Sequence, residues 1–389
     1  MFTKPKSYDF ELFSRRGCIC YIMYIHYASA FLQKWFSRKL VFIMKRLIKG
    51  KVFDFTISEP ELYVDNESRG RSGHMSHAMT EYEPGKLLAF NMNVSPKRNG
   101  GHGQYGWVEY RRSLDAGKTF GEINTFPFSW DAFLDGKFTI ACEKALTCPD
   151  GTVVVFCLRN SPYNEICSVP FYTPYYVTSS DGGVSWGEPK EFSPWAGRIY
   201  DAVMYEGDIY VVQFCNDSEI HWTGRLPEHV YRIFKSSDNA KTFKVISTVP
   251  QNTLNRGYGS LLFRPDGSLI FYCYNRADEV NMDYMISYDK GITWTCGGRC
   301  YLEKGIRNPQ TVIWDSQFIL HGRGSCGRGF MLYTSSDGIN WDEGFAIEPN
   351  KELCYYSNNI VIGDKVLLQY SDAYNGGCVN VMHAWLEKA

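Results

Sequence analysis

The sequence lacks the patterns that mark several protein classes. None of its thirteen cysteines belongs to a Cys-x2-Cys pair, and Cys296 and Cys300, which lie close together, have no histidine at zinc-finger spacing. Lysine and arginine number 41 against 42 aspartate and glutamate, a net charge of −1, so no overall field attracts nucleic acid. We therefore expect no metal, no cofactor and no nucleic-acid partner.

Long hydrophobic runs are also scarce. The apolar, aromatic stretch 18–31 is shorter than the roughly 20 residues that a helix needs to cross a bilayer, and no small-residue cleavage site follows it. This pattern predicts no membrane span, no signal peptide and a cytoplasmic location. Cysteines scattered through predicted strands, such as Cys157, Cys215 and Cys273, are then expected to be buried free thiols in a reducing compartment.

The first 43 residues differ in character from the rest of the chain. Met44 leads through Lys45 and Arg46 directly into the first predicted strand, which favours Met44 as the biological start. Residues 1–43 are then an extension outside the fold, and residues 44–389 form one domain. The alternative is a genuine leader that associates with membranes.

A short turn motif recurs five times along the chain. The pattern Ser-x-Asp-x-Gly-x-x-Trp is clearest at 179–186 and 287–294, weaker at 113–120 and 236–243, and one residue short at 335–341. The aspartate can accept backbone N–H bonds inside a hairpin turn, the glycine supplies a positive φ, and the aromatic residue packs under the next sheet. Such a turn, repeated every 48 to 66 residues, predicts small sheets arranged radially in a β-propeller.

A second repeat sets the number of blades. Six turn signals are each followed by a short apolar run, which predicts the first hairpin of six blades; the runs are 87–90, 153–156, 209–212, 269–272, 318–320 and 366–368. The last blade lacks an outer strand, which the N-terminal residues 52–57 can supply. The predicted fold class is therefore all-β: a six-bladed propeller with four-stranded antiparallel blades.

With these repeats, residues 52–389 resemble the sialidase (neuraminidase) superfamily, in which the turn is called the Asp-box or BNR repeat. The resemblance implies a glycoside hydrolase site. Three arginines bind the sugar carboxylate, an aspartate is the acid/base, and a tyrosine activated by a glutamate is the nucleophile. Guanidinium groups suit a carboxylate, and a neutral tyrosine is not repelled by the carboxylate beside the anomeric carbon.

Several residues match the family pattern by blade. Tyr356 opens the inner strand of the sixth blade, where the family has its nucleophile, and Tyr355 competes for that role. Arg276 and Arg328 lie near the family's arginines of the fourth and fifth blades. Glu143 has a sialidase-like context, although it belongs to the second blade.

Other positions depart from the family pattern. Met75, Ser76 and His77 replace the family's first-blade Arg-Ile-Pro, and the glycine-rich stretch 99–105 falls where its acid aspartate is expected. The position of the blade-four glutamate is occupied by Gly257 or Tyr258. The resemblance therefore leaves the acid displaced, with His102 or Asp131 as candidates.

The inner strands also predict a site without reference to any family. Aligned on their apolar cores, they place one ring of residues at the same entry position: His74, Ala141, Arg198, Arg256, Arg307 and Tyr355. The three arginines are expected to converge on one anion, unless each pairs with a carboxylate of a neighbouring blade, such as Asp201 or Glu143. Beside this ring lie His77, Glu143, Tyr200, Asp201 and Tyr258.

The stretch 91–105 is glycine-rich and basic, and it is interpreted as a loop over the substrate face. His102 within it is a candidate general acid or base near neutral pH, and His77 is a second. The alternative interpretations are a solvated surface loop for the stretch and a hydrogen-bonded structural histidine for His77.

Three functions remain open on sequence alone. The first is a sialidase-like hydrolase acting on an acidic sugar, with Tyr356 as nucleophile and Arg276, Arg328 and Arg307 binding the carboxylate. The second is a His/Tyr-dependent lyase or hydrolase of uronate glycans. The third is a non-catalytic glycan-binding propeller. All three have an anionic carbohydrate as partner.

Overall fold

The computed structural model describes residues 45–96, 105–161, 171–217, 221–325, 329–348, 356–372 and 377–389. Arg46–Ala389 is one compact unit built from six antiparallel sheets arranged as a six-bladed β-propeller, which confirms the predicted fold class. The proposed extension 1–43, and with it the position of the biological start, lies outside the described residues. Candidate site residues His102, Arg328 and Tyr355 also lie outside them.

The strands follow one another blade by blade. The chain begins with β1 (Arg46–Ile48), β2 (Phe55–Ile57) and β3 (Glu61–Val64). Blade 1 contains β4 (Ala78–Glu83), β5 (Lys86–Val94), β6 (Gly106–Ser113) and β7 (Asn124–Thr125); blade 2 contains β8 (Thr139–Thr147), β9 (Val153–Asn160), β10 (Tyr175–Ser179) and β11 (Lys190–Glu191); blade 3 contains β12 (Gly197–Tyr205), β13 (Asp208–Cys215), β14 (Val230–Ser236) and β15 (Lys244–Val249). Blade 4 contains β16 (Arg256–Phe263), β17 (Leu269–Asn275), β18 (Asn281–Ser287) and β19 (Thr295–Tyr301); blade 5 contains β20 (Arg307–Trp314), β21 (Gln317–Arg323), β22 (Phe330–Ser335) and β23 (Phe345–Glu348).

Blade 6 closes the ring with both ends of the chain. It contains β24 (Ser357–Ile362), β25 (Lys365–Ser371) and β26 (Val381–Lys388). The outer strand comes from the N-terminal part: β2 pairs with β26, with Ile57 opposite Leu386, and β1 pairs with β2. Phe55 is fully buried against the edge of Trp314 in blade 5. The prediction that residues within 52–57 complete this blade is confirmed.

The second strand of each blade is buried on both faces. Every residue of β17 is buried, and so is almost every residue of β9, because adjacent blades cover the two faces of each sheet. The six predicted apolar runs all lie in these second strands. They form the hydrophobic layers between blades and leave the starts of the inner strands free to line the axis.

A single described helix, α1 (Pro127–Asp135), lies between the last strand of blade 1 and the first of blade 2. It begins with a proline and ends at Gly136, whose positive φ of 72° closes it. The Ser129 hydroxyl accepts a hydrogen bond of 2.9 Å from the backbone N–H of Val108, which anchors the helix to blade 1.

The five recurring turns share one hydrogen-bonding scheme, shown well at Asp289. Its Oδ1 accepts bonds from the Ser287 hydroxyl at 2.7 Å and from the Thr293 N–H at 2.8 Å. The Gly291 N–H donates to the Ser287 hydroxyl at 2.7 Å, with Gly291 at φ 88°. The aromatic residue Trp294 packs toward the preceding blade and donates to Ser247 at 3.0 Å. The turns are therefore scaffold.

Acid is expected to weaken the propeller through these turns. Hydrogen bonds from the Thr293 side chain and backbone lower the pKa of Asp289 to about 2, and the Thr119 side chain and backbone do the same to Asp115. Since the folded pKa lies below the unfolded value, this stabilisation is complete above about pH 4 and is lost as pH falls through 2. Urea unfolding at several pH values between 5 and 2 measures this loss of stability.

The variant Asp289→Asn should reduce the slope of stability against pH in this window. Asp131→Asn, which changes an exposed carboxylate on helix α1, is the matched control and should leave the slope unchanged. Equal slopes for Asp289→Asn and the unmodified protein would contradict the assignment.

Candidate functional site

Irregular starts of the inner strands supply the residues that line the propeller axis. The pairing register shifts at Cys142/Lys144 in β8, Ile199/Asp201 in β12, Gly257/Gly259 in β16 and Arg307/Gln310 in β20. A residue skipped at such a bulge is not paired with the neighbouring strand, and its side chain points in a different direction from that of a regular strand residue. The skipped residues are Glu143, Tyr200, Tyr258, Asn308 and Pro309, and all of them line one pocket.

Three residues of this pocket have strained backbones. Ser76, Tyr258 and Asn308 have φ values of 59°, 45° and 56°. A positive φ is uncommon for non-glycine residues and costs on the order of 1–3 kcal/mol, so it persists where the surroundings impose it. Three such residues around one pocket mark it as the candidate site of this propeller.

The pocket lies where the inner strands of all six blades meet. Its cavity volume is about 40 Å³, and the pocket is open to solvent on one side. A cavity of this size admits one end of a ligand rather than a whole sugar. The lining residues are Ser76, His77, Glu143, Arg198, Tyr200, Tyr258, Gly259, Asn308, Pro309, Gln310, Tyr356, Ser357 and Asn358.

A buried ion pair forms one wall of this pocket. The Nε and one terminal nitrogen of Arg198 donate to the same oxygen of Glu143, Oε2, at 2.9 and 2.8 Å. Both side chains are only 5% exposed. Burial raises the pKa of Glu143 above its ordinary value, and the Arg198 charge and hydrogen bond oppose this rise without cancelling it.

Several polar atoms of pocket-lining residues lack partners. Among the described residues, Glu143 Oε1, Ser76 Oγ, His77 Nε2 and Asn308 Oδ1 are buried without a hydrogen bond. The Ser76 hydroxyl lies near enough to Glu143 to lower the pKa of the carboxyl, but the two groups do not have hydrogen-bonding geometry. Buried polar atoms are costly unless satisfied, so this pocket is suited to a polar ligand.

Tyr356, the predicted nucleophile, is one of the pocket-lining residues. Its backbone is fixed by Ser371, whose hydroxyl accepts from the Tyr356 N–H at 3.0 Å and whose N–H donates to the Tyr356 carbonyl at 3.0 Å. Its ring lies edge-on to His74, with centroids 6.3 Å apart. Tyr356 also interacts electrostatically with the Arg198 guanidinium, so the tyrosine and the ion pair share one site.

His77 differs from its sequence interpretation as an acid or base near neutral pH. It is buried in the pocket wall, and burial together with neighbouring His74 lowers its pKa to about 3. His77 is therefore neutral at pH 7 and a weak base. The sequence does not show that the ring is shielded from water, and this shielding favours the alternative interpretation of His77 as a structural histidine.

The three aligned arginines do not converge on one anion. Arg198 lies in the pocket with Glu143, but Arg256 donates to Asp283 at 2.6 Å and to the Leu254 carbonyl at 2.9 Å. Asp283 lies on β18 of the same blade and supplies the nearest partner for Arg256. The alternative interpretation, pairing with a carboxylate of a neighbouring blade, is observed for Arg198, whose partner Glu143 lies in blade 2, whereas Arg256 pairs within its own blade.

Arg307 and Arg276 instead lie on an aromatic cluster beside the pocket, here called the Trp222 cluster. It consists of Trp222, Tyr258, Tyr274, Arg276 and Arg307. The two guanidinium carbons lie 4.5 and 5.1 Å from the Trp222 ring centroid, for Arg307 and Arg276 respectively. Tyr258 belongs both to this cluster and to the pocket, so the cluster extends the pocket wall with two positive charges.

Trp222 was not identified from the sequence. It lies in a connection of blade 3, and its carbonyl accepts a 3.0 Å hydrogen bond from the Tyr200 hydroxyl. No repeat or spacing marks this connection. Ser76 and Asn308 were likewise missed as site residues; a break in the strand pattern before a proline, at Asn308-Pro309, was the available signal.

Other sequence candidates lie away from the pocket. Asp131 is exposed on α1 and does not line the pocket, because the helix presents it to solvent. Asp201 is fully buried, paired with Lys144 at 2.9 Å and accepting from Ser260 at 2.9 Å. Residues 91–94 of the expected loop belong to strand β5, paired with β6. That part of the loop interpretation is wrong.

Metal ligands and membrane-spanning helices are two further features of the described residues. Within the described ranges, no group of three or more histidine, cysteine, aspartate or glutamate side chains is placed to hold a metal ion. Across the same residues, no helix combines the length and apolar character needed to cross a membrane. Cys142, Cys157, Cys215 and Cys273 are buried free thiols, as the sequence predicts.

Comparison with known proteins places the fold. No protein-family model matches the chain, and no curated protein matches it. Solved structures do. A Dyadobacter fermentans protein of unknown function has a TM-score of 0.65 at 15% identity, covering 85% of this chain and 98% of its own. A Hadza microbial sialidase has a TM-score of 0.65 at 14% identity, covering 85% and 68%.

A third similar structure is a Trypanosoma rangeli sialidase in complex with 2,3-difluorosialic acid as a covalent intermediate. Its TM-score is 0.58 at 13% identity, over 80% of this chain and 53% of the sialidase. At these identities the likeness concerns the fold. The chain has a sialidase-like six-bladed propeller, with the pocket described above at its axis.

Proposed function

We propose that this propeller is a glycoside hydrolase acting on an acidic sugar, sialic-acid-like or a uronate, at the end of a glycan. The observation that carries the proposal is the Glu143–Arg198 pair beside Tyr356. A buried carboxylate has one oxygen held by a guanidinium and the other without a partner among the described residues, in the same pocket as a tyrosine. The recurring turns resemble Asp-box repeats and serve as scaffold.

Tyr356 is the proposed nucleophile and Glu143 its base. The Tyr356 oxygen attacks the anomeric carbon while the glycosidic C–O bond breaks, and Glu143 takes the phenolic proton. A carboxylate whose pKa is raised by burial is a better proton acceptor than an ordinary glutamate. The Arg198 charge and hydrogen bond favour the ionised form of Glu143, the form that accepts the proton. Water then cleaves the tyrosyl bond in the second step.

The Trp222 cluster is the proposed site for the acidic group of the sugar. Arg276 and Arg307 lie over the Trp222 ring next to the pocket. Guanidinium groups bind carboxylates in a bidentate manner. The leaving-group proton is assigned to His102, which lies outside the described residues.

A binding propeller without turnover is the second candidate. Ser76 and the neutral His77 occupy the place of the family's first-blade arginine, and this observation favours it. An eliminating lyase has less support, because a histidine with a pKa of about 3 is a poor base for abstracting a proton beside a carboxylate.

The test is incubation with a fluorogenic sialoside and, in parallel, an acidic-oligosaccharide panel read by mass. We expect release of an acidic monosaccharide, abolished in Tyr356→Phe. Tyr370→Phe is the matched control, since it removes a buried tyrosine hydroxyl from the same blade, one that contacts Glu348 at 3.5 Å. Saturable binding without any product would favour the binding propeller, and full activity of Tyr356→Phe would exclude that residue as the nucleophile.

A further inference from the structure

A buried chain of hydrogen bonds leads from blade 6 to the pocket. Gln369, on β25, is fully buried between two histidines. Its Oε1 lies 2.9 Å from His383 Nε2, and its Nε2 lies 3.4 Å from His77 Nδ1. The same Nε2 donates to the Phe90 carbonyl at 2.6 Å. Both contacts of its amide nitrogen and one contact of its amide oxygen lie within this chain of hydrogen bonds.

The Phe90 carbonyl fixes which way the Gln369 amide points. In the reverse orientation, the amide oxygen would face the Phe90 carbonyl oxygen at 2.6 Å, and two acceptors do not share a bond. The NH₂ group therefore faces Phe90, and its second hydrogen faces His77 Nδ1. His77 Nδ1 is thus an acceptor, while His383 Nε2 donates to the Gln369 oxygen.

The direction of these hydrogen bonds determines which ring nitrogen of His77 carries the proton. A neutral imidazole has one proton, and with Nδ1 accepting, that proton is on Nε2. His77 Nε2 is buried without a partner among the described residues, and His77 lines the pocket. The backbone of this residue is also held, because the His77 carbonyl accepts a 2.7 Å bond from the Asn358 side chain.

We propose that Gln369 is a positioning residue that fixes His77 as a neutral donor, whose Nε2–H binds an acceptor oxygen of the ligand. The assignment of the His77 tautomer depends only on the hydrogen bonds of Gln369. The role toward a sugar oxygen rests on the proposed function. His77 then selects for an oxygen at this point of the ligand and against a protonated amine.

The tautomer is tested on the full chain labelled with ¹⁵N-histidine, by long-range ¹⁵N–¹H correlation between pH 5 and 8. We expect the His77 signals of a protonated Nε2 and an unprotonated Nδ1, constant over this range. A proton on Nδ1, or a titration inside the range, would overturn the proposal.

Gln369→Glu tests the positioning role. A carboxylate accepts from Nδ1–H, so we expect the proton to move to His77 Nδ1 or the ring to begin titrating. Gln213→Glu is the matched control: Gln213 is also fully buried, bonded to Ser193 and the Trp195 carbonyl, and lies in blade 3 away from the pocket. If Gln369→Glu does not fold, Gln369→Met should give mixed tautomers. An unchanged His77 spectrum in the folded variant would overturn the role of Gln369.

The donor role is tested with sialyllactose as the probe. His77→Gln retains an N–H near the Nε2 position and should bind within about 2-fold of the unmodified protein, whereas His77→Leu should bind about 2- to 10-fold more weakly. Equal losses in both variants would overturn the donor role. If the tautomer is as expected but sialyllactose neither binds nor reacts, the role toward this sugar and its place in the proposed function fail, while the positioning by Gln369 stands.

Discussion

Replacing Glu143 with glutamine is expected to lower kcat by about 10²–10⁴-fold, the usual contribution of a positioned acid or base. The amide keeps the size of the side chain, and its oxygen can still accept from Arg198, so the wall of the pocket is preserved. What is lost is the basicity of the one carboxylate that lines the pocket among the described residues. Steady-state kinetics on the substrate found in the glycan panel measure this loss.

Glu109→Gln is the control for Glu143→Gln. Glu109 is also a buried carboxylate in an ion pair, with Arg69 at 2.8 and 2.6 Å, but it lies on β6 and does not line the pocket. It should lose stability without a comparable loss of kcat. If Glu143→Gln turned over substrate as fast as Glu109→Gln, Glu143 would not be the base.

Replacing Arg198 with methionine is expected to cost about 3–5 kcal/mol in the free energy of unfolding at pH 7, because it leaves the Glu143 charge buried without its partner. Arg198 is buried and donates twice to the same carboxylate oxygen. Denaturant titration gives the free energy. Arg69→Met, which breaks the partly exposed Arg69–Glu109 pair, should cost less.

The cost of Arg198→Met should depend on pH. Burial raises the folded pKa of Glu143 above its unfolded value, and loss of Arg198 raises it further. The folded state then holds the proton more tightly, so the penalty is largest above the folded pKa and disappears below the unfolded value, near 4.3. A deficit in the variant that is the same at pH 7 and pH 4 would contradict the assignment of a buried, charged Glu143.

The architecture of the propeller could be predicted from the sequence because its repeats are local. The turn at Asp289 and the apolar run 269–272 each depend on neighbouring residues, and their spacing counts the blades. The closure by Phe55–Ile57 followed from the missing outer strand of the last blade. These features depend on hydrogen-bonding and burial patterns with a fixed period.

The site could be predicted only in part, because it is built from departures from that period. The alignment of inner strands places Arg198 and Arg256 as equivalents, yet a carboxylate in blade 2 holds one and Asp283 holds the other. Bulges of one residue decide which side chain turns to the axis, as at Tyr258. The low pKa of His77 arises from long-range burial, which no spacing in the sequence reports.

Trp222 is another site residue that could not be predicted from the sequence. It lies in an irregular connection, but it joins Arg276 of blade 4 and Arg307 of blade 5 beside the pocket. The residues proposed to bind the acidic group are thus brought together by the ring of blades rather than by a motif. Only the three-dimensional arrangement of the blades shows that they are neighbours.

The most direct test of the proposed hydrolysis is to incubate the protein with the acidic-oligosaccharide panel in H₂¹⁸O and to determine the masses of the products by mass spectrometry. Hydrolysis through Tyr356 and Glu143 predicts an acidic monosaccharide carrying one ¹⁸O at its anomeric carbon, formed far more slowly by Glu143→Gln. An unsaturated product without ¹⁸O, or binding without any product, would contradict hydrolysis at this pocket.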